Sequence, residues 1–317
     1  MPWIIGLDEA GYGPNLGPLV QAAVAVCVPD EVGCLWRCLA GGVRRACDPD
    51  DGRVLIDDSK LVHVGPHAFA RLERGVLAAL GRLDAQPLGQ LLGRTACAET
   101  LADIAGEPWF TGDEPHPVAV DLAELAVAVN GLAPARQAAG VAFHAARCVA
   151  TPAPRFNALL DRWETKSAVL EQGVIALLRA SLAALDGDEP VTFVIDKQGG
   201  RNYYAPLIQT ALPDCWVMPR RESADVSEYT LLGLGREVGL VFRPRADSES
   251  LPVALASMLA KYLREVFMRQ FNRYWLGHVP GLKPTAGYPG DAARFYEAIR
   301  PVMARLGIPE SAVWRRK

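Results

Sequence analysis

Apolar residues recur along the chain with two different periods, and together these divide most of it into strands and helices. Residues 3–8, Trp-Ile-Ile-Gly-Leu-Asp, form a short apolar run that ends in an acid. Glu9 to Pro18 then hold Gly11, Gly13, Pro14, Gly17 and Pro18, a composition that shapes backbone into a loop, because glycine tolerates positive φ and close approach. Residues 19–28 are rich in valine and alanine and read as a second strand, so a hairpin is expected at the start. Phe69, Leu72, Val76, Leu77, Leu80 and Leu83 recur at helical spacing, as do Leu170, Val174, Leu177, Leu178, Leu182 and Leu185. Val191 to Asp196 is a buried-strand pattern that again ends in an acid. It follows a helix and the turn Asp186-Gly187-Asp188, which predicts a parallel crossover.

The strongest helical signal starts near Ser250. Pro252 suits a first turn, where its missing N–H costs nothing, and Leu255, Leu259, Tyr262, Leu263, Val266, Phe267, Phe271 and Tyr274 form one stripe. A last helix is expected over 292–306, kinked or divided at Pro301. Residues 84–155 carry Pro/Gly-rich spacers (106–117 and 151–154) around an alanine-rich helical middle. That segment reads as a cap-like insertion, with the main unit formed by 1–83 and 156–317.

Composition narrows the classes. Half of the 317 residues are apolar, 22% are charged, and the formal net charge is −3. A nucleic-acid binder of this balance needs a local basic face rather than a basic total. No uninterrupted apolar run is long enough for a membrane span, and Met1-Pro2-Trp3 lacks the basic start of a signal peptide. Seven cysteines, an odd number with no C-x-x-C pair, predict neither a disulfide framework nor a thiolate zinc site. Free thiols and a cytoplasmic location are the expectation.

Four acids stand out by position. Asp8 and Asp196 close strands, Glu9 follows Asp8, and Asp247 precedes the long helix. Ligands of open α/β sheets bind at the carboxyl ends of strands. Because successive strand residues face opposite ways, Glu9 is expected to join Asp8 only where the chain leaves the pleat. Clustered carboxylates repel unless a cation is present, and oxygen ligands without His or Cys favour Mg2+ or Mn2+. Taken singly, each acid has an ordinary alternative, since Asp is common at helix N-caps and in turns.

The flanking residues decide between these readings. Gly6-Leu7-Asp8-Glu9-Ala10-Gly11-Tyr12-Gly13-Pro14, followed by Gly17-Pro18-Leu19-Val20, resembles the N-terminal signature of ribonuclease HII. In family order, Asp57-Asp58-Ser59-Lys60 resembles its Asp-Ser-Lys segment and Phe156-Asn157-Ala158-Leu159-Leu160 its Asn-containing helix entry. Val194-Ile195-Asp196 resembles the strand with the third acid, Ala246-Asp247-Ser248-Glu249-Ser250-Leu251 and then Ala256-Ser257-Met258-Leu259-Ala260-Lys261 the fourth acid and its helix, and Gly287-Tyr288-Pro289 a later Gly-Tyr turn. The resemblance spans nearly the whole chain. It implies an α/β ribonuclease H-like fold, a mixed sheet flanked by helices, and cleavage of RNA paired to DNA or of ribonucleotides embedded in DNA. It further implies two divalent ions held by Asp8, Glu9, Asp196 and Asp247. Gly11-Tyr12-Gly13 would meet the ribose 2′-hydroxyl, Tyr288 the RNA–DNA junction, and Ser59 and Lys60 the phosphates.

The chain also departs from that pattern. Tyr12 stands where the family has arginine, Lys197 follows the third acid in place of glycine, and Pro284-Thr285-Ala286 replace basic residues before the Gly-Tyr turn. The stretch between Asp196 and Asp247 is long. It carries Arg220, Arg221, Arg243 and Arg245, with Lys197 and Arg201 near the third acid. These cations are expected to rebuild a basic groove, since phosphate neutralisation dominates such affinity; a solvated charged hairpin is the alternative. Two rival functions remain: a nuclease of this fold with a branched-DNA or structured-RNA substrate, and a non-catalytic nucleic-acid-binding module.

Overall fold

A computed structural model describes residues 1–45, 51–81, 86–197 and 199–316. The chain opens with β1 (Trp3–Ala10) and β2 (Leu19–Cys27), paired antiparallel from Trp3↔Cys27 to Ala10↔Val20. This is the expected hairpin. β2 is buried at every position but its last, which explains why it reads as a continuous apolar run. Small elements follow: α1 (Leu35–Cys38), β3 (Val43–Arg44), β4 (Val54–Leu55) and α2 (Ser59–Val62). The first periodic helix is α3 (Ala68–Ala79); Leu83 of the predicted stripe lies outside the described residues.

Between them and the second periodic helix lie β5 (Gln86–Pro87), α4 (Leu88–Thr95), α5 (Ala98–Ala105), β6 (Pro115–His116), α6 (Leu122–Ala139), β7 (Ala142–Thr151) and α7 (Ala153–Trp163). Then come α8 (Lys166–Ala183), β8 (Val191–Asp196), α9 (Ala205–Ala211), β9 (Trp216–Glu222), β10 (Ser227–Leu232) and β11 (Val238–Arg243). The chain ends through α10 (Ala246–Glu249), α11 (Leu251–His278), α12 (Pro289–Leu306) and α13 (Glu310–Val313).

Seven strands form one mixed sheet in the order β7-β2-β1-β8-β11-β10-β9. β8 runs parallel to both β1 and β11, as the predicted crossover requires, and the remaining pairs are antiparallel. α11 covers β1 and β2 on one face, and α8 and α9 pack on the other. The approach of α11 depends on Gly6, where a Cβ would lie 2.1 Å from the Pro252 carbonyl carbon and 2.2 Å from Val253 N. Pro252 sits in the first turn of α11, as expected.

Two expectations are corrected. Residues 84–155 are not a separate cap, since β7 is an edge strand of the central sheet, paired with β2 from Leu19↔Thr151 to Cys27↔Ala142. The segment is also anchored by the fully buried Glu73 of α3. Its carboxylate accepts the backbone N–H groups of Val118 (2.7 Å), Ala119 (2.6 Å) and Val120 (2.9 Å) and the Tyr262 hydroxyl (2.9 Å). The Tyr262 hydroxyl in turn meets His116 Nδ1 at 2.7 Å. Residues 84 and 85 lie outside the described residues. Secondly, Pro301 does not divide α12. It faces solvent, while Ile299 and Met303 on either side of it are buried in one apolar cluster that fixes the helix. Among the described residues no helix is long and apolar enough to cross a membrane.

Candidate active site

β1 keeps its pairing with β2 as far as Ala10, yet its ladder with β8 stops at Leu7↔Ile195. Beyond Leu7 one side of β1 therefore has no neighbouring strand, and a groove of about 400 Å³ opens there. Both Asp8 and Glu9 line it. The expectation that the chain must leave the pleat for Glu9 to join Asp8 is corrected: the strand continues, and it is β8 that ends.

Asp196 is the last residue of β8 and its Oδ1 accepts the N–H of Ala246 at 2.8 Å. β11 lies parallel to β8 in the register Arg243↔Asp196. Arg245 then adopts φ 56°, a left-handed conformation that is unusual for a residue with a side chain. This turns the chain into α10, which carries Asp247 to the groove. Asp58 caps α2, its Oδ1 accepting the N–H of Lys60 at 2.8 Å, as N-cap acids do. Ser257 Oγ donates to Ser59 Oγ at 2.9 Å and so joins α11 to α2.

The carboxyl groups perturb one another. Burial and then the neighbouring Glu9 push Asp8 well above the usual carboxylate range. Burial, followed by Asp196 and Asp247, pushes Glu9 up to about 7. Asp196 is raised by burial and by Asp247, although the Ala246 N–H opposes the shift. Asp247 is raised by burial and by Asp58. Burial alone would lower Lys60, but Asp58, Asp247, Asp8 and Asp196 together raise it.

Lys60, Lys261 and Arg245 are the cations on the groove wall, and no His or Cys lines it. Among the described residues, no three His, Cys, Asp or Glu side chains, the groove carboxylates included, are gathered closely enough to enclose an ion as they stand. The chemistry of the donor set nevertheless fits a hard divalent cation. All the anionic donors are oxygens, and their raised pKa values mark negative charge that a cation would relieve.

Most of the residues singled out in the sequence meet in this groove. Gly11, Tyr12, Ser59, Lys60 and Tyr288 line it beside Asp8, Glu9, Asp196 and Asp247. Gly13 does not; it is exposed. Tyr288 is half exposed, and the Lys166 ammonium lies 6.0 Å from the centre of the Tyr12 ring.

The basic groove expected from residues 197–246 is not assembled here. Lys197 Nζ is tied to Asn202 Oδ1 (2.9 Å) and the Ser223 carbonyl (2.5 Å). Arg243 pairs with Glu249 at 2.6 Å, and Arg201 pairs with Glu171. Arg220 and Arg221 lie on the edge strand β9, outside the groove. Only Arg245 of this set lines it.

Sequence reasoning missed Asp58, Ser257 and Lys261 as groove residues. Asp58 stood inside a recognised segment but was given no role. Ser257 and Lys261 likewise stood in a recognised segment without a role, although two polar residues four apart share a helix face and interrupt an otherwise apolar one.

No family model and no curated protein matches the sequence. Solved structures do match in shape. Ribonuclease H2 from Pyrococcus horikoshii OT3 superposes with a TM-score of 0.51 at 14% identity, covering 98% of this chain and 92% of that one. RNase H3 from Aquifex aeolicus gives a TM-score of 0.45 at 14% identity, over 98% and 71% of the two chains, too low a score to add weight. At this identity, the first likeness speaks to fold alone. With its mixed sheet flanked by helices, the chain carries the ribonuclease H-like fold.

Proposed function

We propose that this chain is a metal-dependent endonuclease. It hydrolyses the RNA strand of RNA–DNA hybrids, or DNA at an embedded ribonucleotide, and leaves 3′-hydroxyl and 5′-phosphate ends. The observation that carries the reading is the meeting of Asp8, Glu9, Asp196 and Asp247 in one groove, beside a glycine loop and a half-exposed tyrosine.

Asp8, Glu9, Asp196 and Asp247 would hold Mg2+ or Mn2+, two ions by the family resemblance. A divalent ion bound there activates water and offsets the charge that develops on the leaving oxygen. The chain's own groups bind and orient the strand. Lys60 on the groove wall offers its ammonium group to the phosphates, while Lys261 beside it is held by Glu265 at 2.6 Å. Gly11 admits the backbone approach that a ribose 2′-hydroxyl needs, and Tyr288 presents a ring face to the sugar or base next to the cut. Asp58 and the Ser59–Ser257 hydrogen bond keep Lys60 at the groove. No histidine is needed as general base.

Tyr12, in the place of a phosphate-directed arginine, favours a second reading: a nuclease of this fold acting on branched DNA or structured RNA. One experiment separates the two. Wild type and Asp8→Asn are incubated with Mg2+ or Mn2+ and labelled duplexes that hold one ribonucleotide, a full RNA strand, or DNA only. Metal-dependent cutting at the ribonucleotide, lost in the variant, supports the first reading. Cutting confined to other substrates supports the second, and no cutting by folded, metal-binding protein rejects the first.

A further inference from the structure

Two buried arginines grip the glycine loop from its inner side. Arg315 is fully buried. Its Nε donates to the Pro14 carbonyl at 3.0 Å, and its Nη2 to the Gly11 carbonyl at 2.6 Å and again to Pro14. The Arg315 backbone is laced to the same loop, its N–H donating to the Asn15 carbonyl at 2.8 Å while Asn15 Nδ2 donates to the Arg315 carbonyl at 3.0 Å. Asn157 of α7 fixes this segment from behind, donating to the Trp314 carbonyl at 2.8 Å and accepting the Arg316 N–H at 2.9 Å.

Arg264, on α11, is 1% exposed. Its Nη2 donates to the Ala286 carbonyl at 3.0 Å and the Leu16 carbonyl at 3.4 Å. It therefore spans the glycine loop and the turn that presents Tyr288. The two segments also meet directly, through the Asn15 and Leu16 N–H groups on the Gly287 carbonyl at 2.8 and 3.3 Å. The fit leaves no slack. A Cβ on Gly11 would lie 2.3 Å from Arg264 Nε, and one on Gly287 2.4 Å from the Leu16 carbonyl oxygen.

This is a costly way to fill space. A buried guanidinium needs compensation for its lost hydration, and these two are met by carbonyls. The acid paired with Arg264 is Glu265, 3.8 Å from its Nη1, and Arg264 Nε and Nη1 and Arg315 Nη1 have no hydrogen-bond acceptor among the described residues. Burial and the nearby Arg264 push Arg315 down to about 9. An apolar side chain would fill the volume without these penalties. What the guanidinium adds is direction. In a trans peptide the C=O and the following N–H point opposite ways. Drawing the Gly11 carbonyl inward therefore turns the Tyr12 N–H away from Arg315, and that N–H has no backbone acceptor among the described residues.

We infer that Arg264 and Arg315 are positioning residues for substrate. They fix the Gly11–Tyr12 peptide so that its N–H is offered to a sugar or phosphate oxygen of the bound strand, and they hold Tyr288 alongside it. The link to substrate rests on the nuclease reading above; the hold on the loop does not.

The test uses Arg315→Met and Arg264→Met, which keep much of the volume, with Arg315→Lys as the conservative variant. Amide hydrogen exchange is followed along the chain, and kcat and KM are measured on a duplex with one ribonucleotide. The expected result is faster exchange confined to residues 11–16 and 286–288, with β1, β8 and α11 unchanged. KM should rise by about tenfold with a smaller change in kcat, the mark of lost substrate binding. Arg315→Lys should recover part of the loss, because an ammonium keeps the charge and its donors but lacks the planar fork that meets the Gly11 and Pro14 carbonyls together. Unchanged exchange in the loop overturns the inference, as does loss of protection spread evenly over the whole chain. If the wild-type protein cuts no ribonucleotide substrate, the nuclease reading falls, while the exchange measurements still decide whether the arginines hold the loop.

Discussion

The carboxylate of Asp196 accepts a hydrogen bond from the backbone N–H of Ala246, 2.8 Å away, so the third acid holds the residue that precedes the fourth. Asp196 thereby shapes the groove as well as contributing charge to it. Asp196→Asn keeps an acceptor at this position and is expected to fold with residues 245–249 in place, yet to lose cleavage. Asp196→Ala should in addition loosen that turn, seen as faster amide exchange at Ala246 and Asp247. Full activity in Asp196→Asn would remove this acid from the mechanism.

Asp8→Asn should abolish cleavage and, without added metal, raise the melting temperature. The Asp8 carboxyl is pushed up by burial and by Glu9. A folded pKa above the unfolded one means that stability is complete at low pH and falls as pH rises. The advantage of Asn over Asp should therefore grow as the pH rises above the ordinary carboxylate range. A variant that melts lower than wild type across that range would contradict the charge repulsion described for the groove.

At the base of the same strand, Gly6→Ala should cost about 3 kcal/mol or more, the upper range for overpacking. The new methyl would collide with backbone atoms of Pro252 and Val253, which cannot rotate aside as a side chain could. Denaturant unfolding measures this directly. A loss below about 1 kcal/mol would mean that α11 yields easily, against the close packing described here.

Glu107, which does not line the groove, offers a further test. Its carboxyl is buried, accepts from Trp109, and is pushed up to about 8 by burial; no ion-pair partner is seen among the described residues. The unfolded chain binds fewer protons here than the folded chain between about pH 4.5 and 8, so stability falls with rising pH through that window. Glu107→Gln should flatten the fall and stabilise the protein at pH 8 by roughly a few kcal/mol. Melting curves across the pH range read this out, and an unchanged slope would show that the carboxyl is charged in the fold.

Arg220 and Arg221 remain available as an outer contact. β9 runs in the same direction as β11, and the pairs Glu222↔Ser227, Ser227↔Phe242 and Phe242↔Ile195 bring its end to the end of the sheet that carries Asp196. Reversing both charges to Glu should weaken hybrid binding and reduce its salt slope by about one to two. Binding that does not change would place β9 outside the substrate surface.

Elements whose patterns match their burial were legible in the sequence. The opening hairpin, β8 and α11 were read within a few residues, and the four acids were located with them. β7 was not, because Ala-Phe-His-Ala-Ala-Arg-Cys-Val-Ala-Thr is alanine-rich and alternates only weakly. Its burial alternates along most of the strand, but alanines occupy exposed, half-buried and buried positions alike, so that period leaves no mark in the sequence. The four elements inside 197–246 were missed because the segment was read for its charges. Arg264 and Arg315 escaped notice because their partners are backbone carbonyls, which leave no trace in side-chain patterns.

The parallel ladder between β8 and β11 has one more consequence. It ends on the pair Arg243↔Asp196, so the chain returns beside the third acid however far it has wandered, and the left-handed turn at Arg245 delivers Asp247 within four residues. Separation along the chain is thereby uncoupled from separation in space. The β9–β10 hairpin is a detour that can lengthen or shorten while Asp196 and Asp247 keep their spacing.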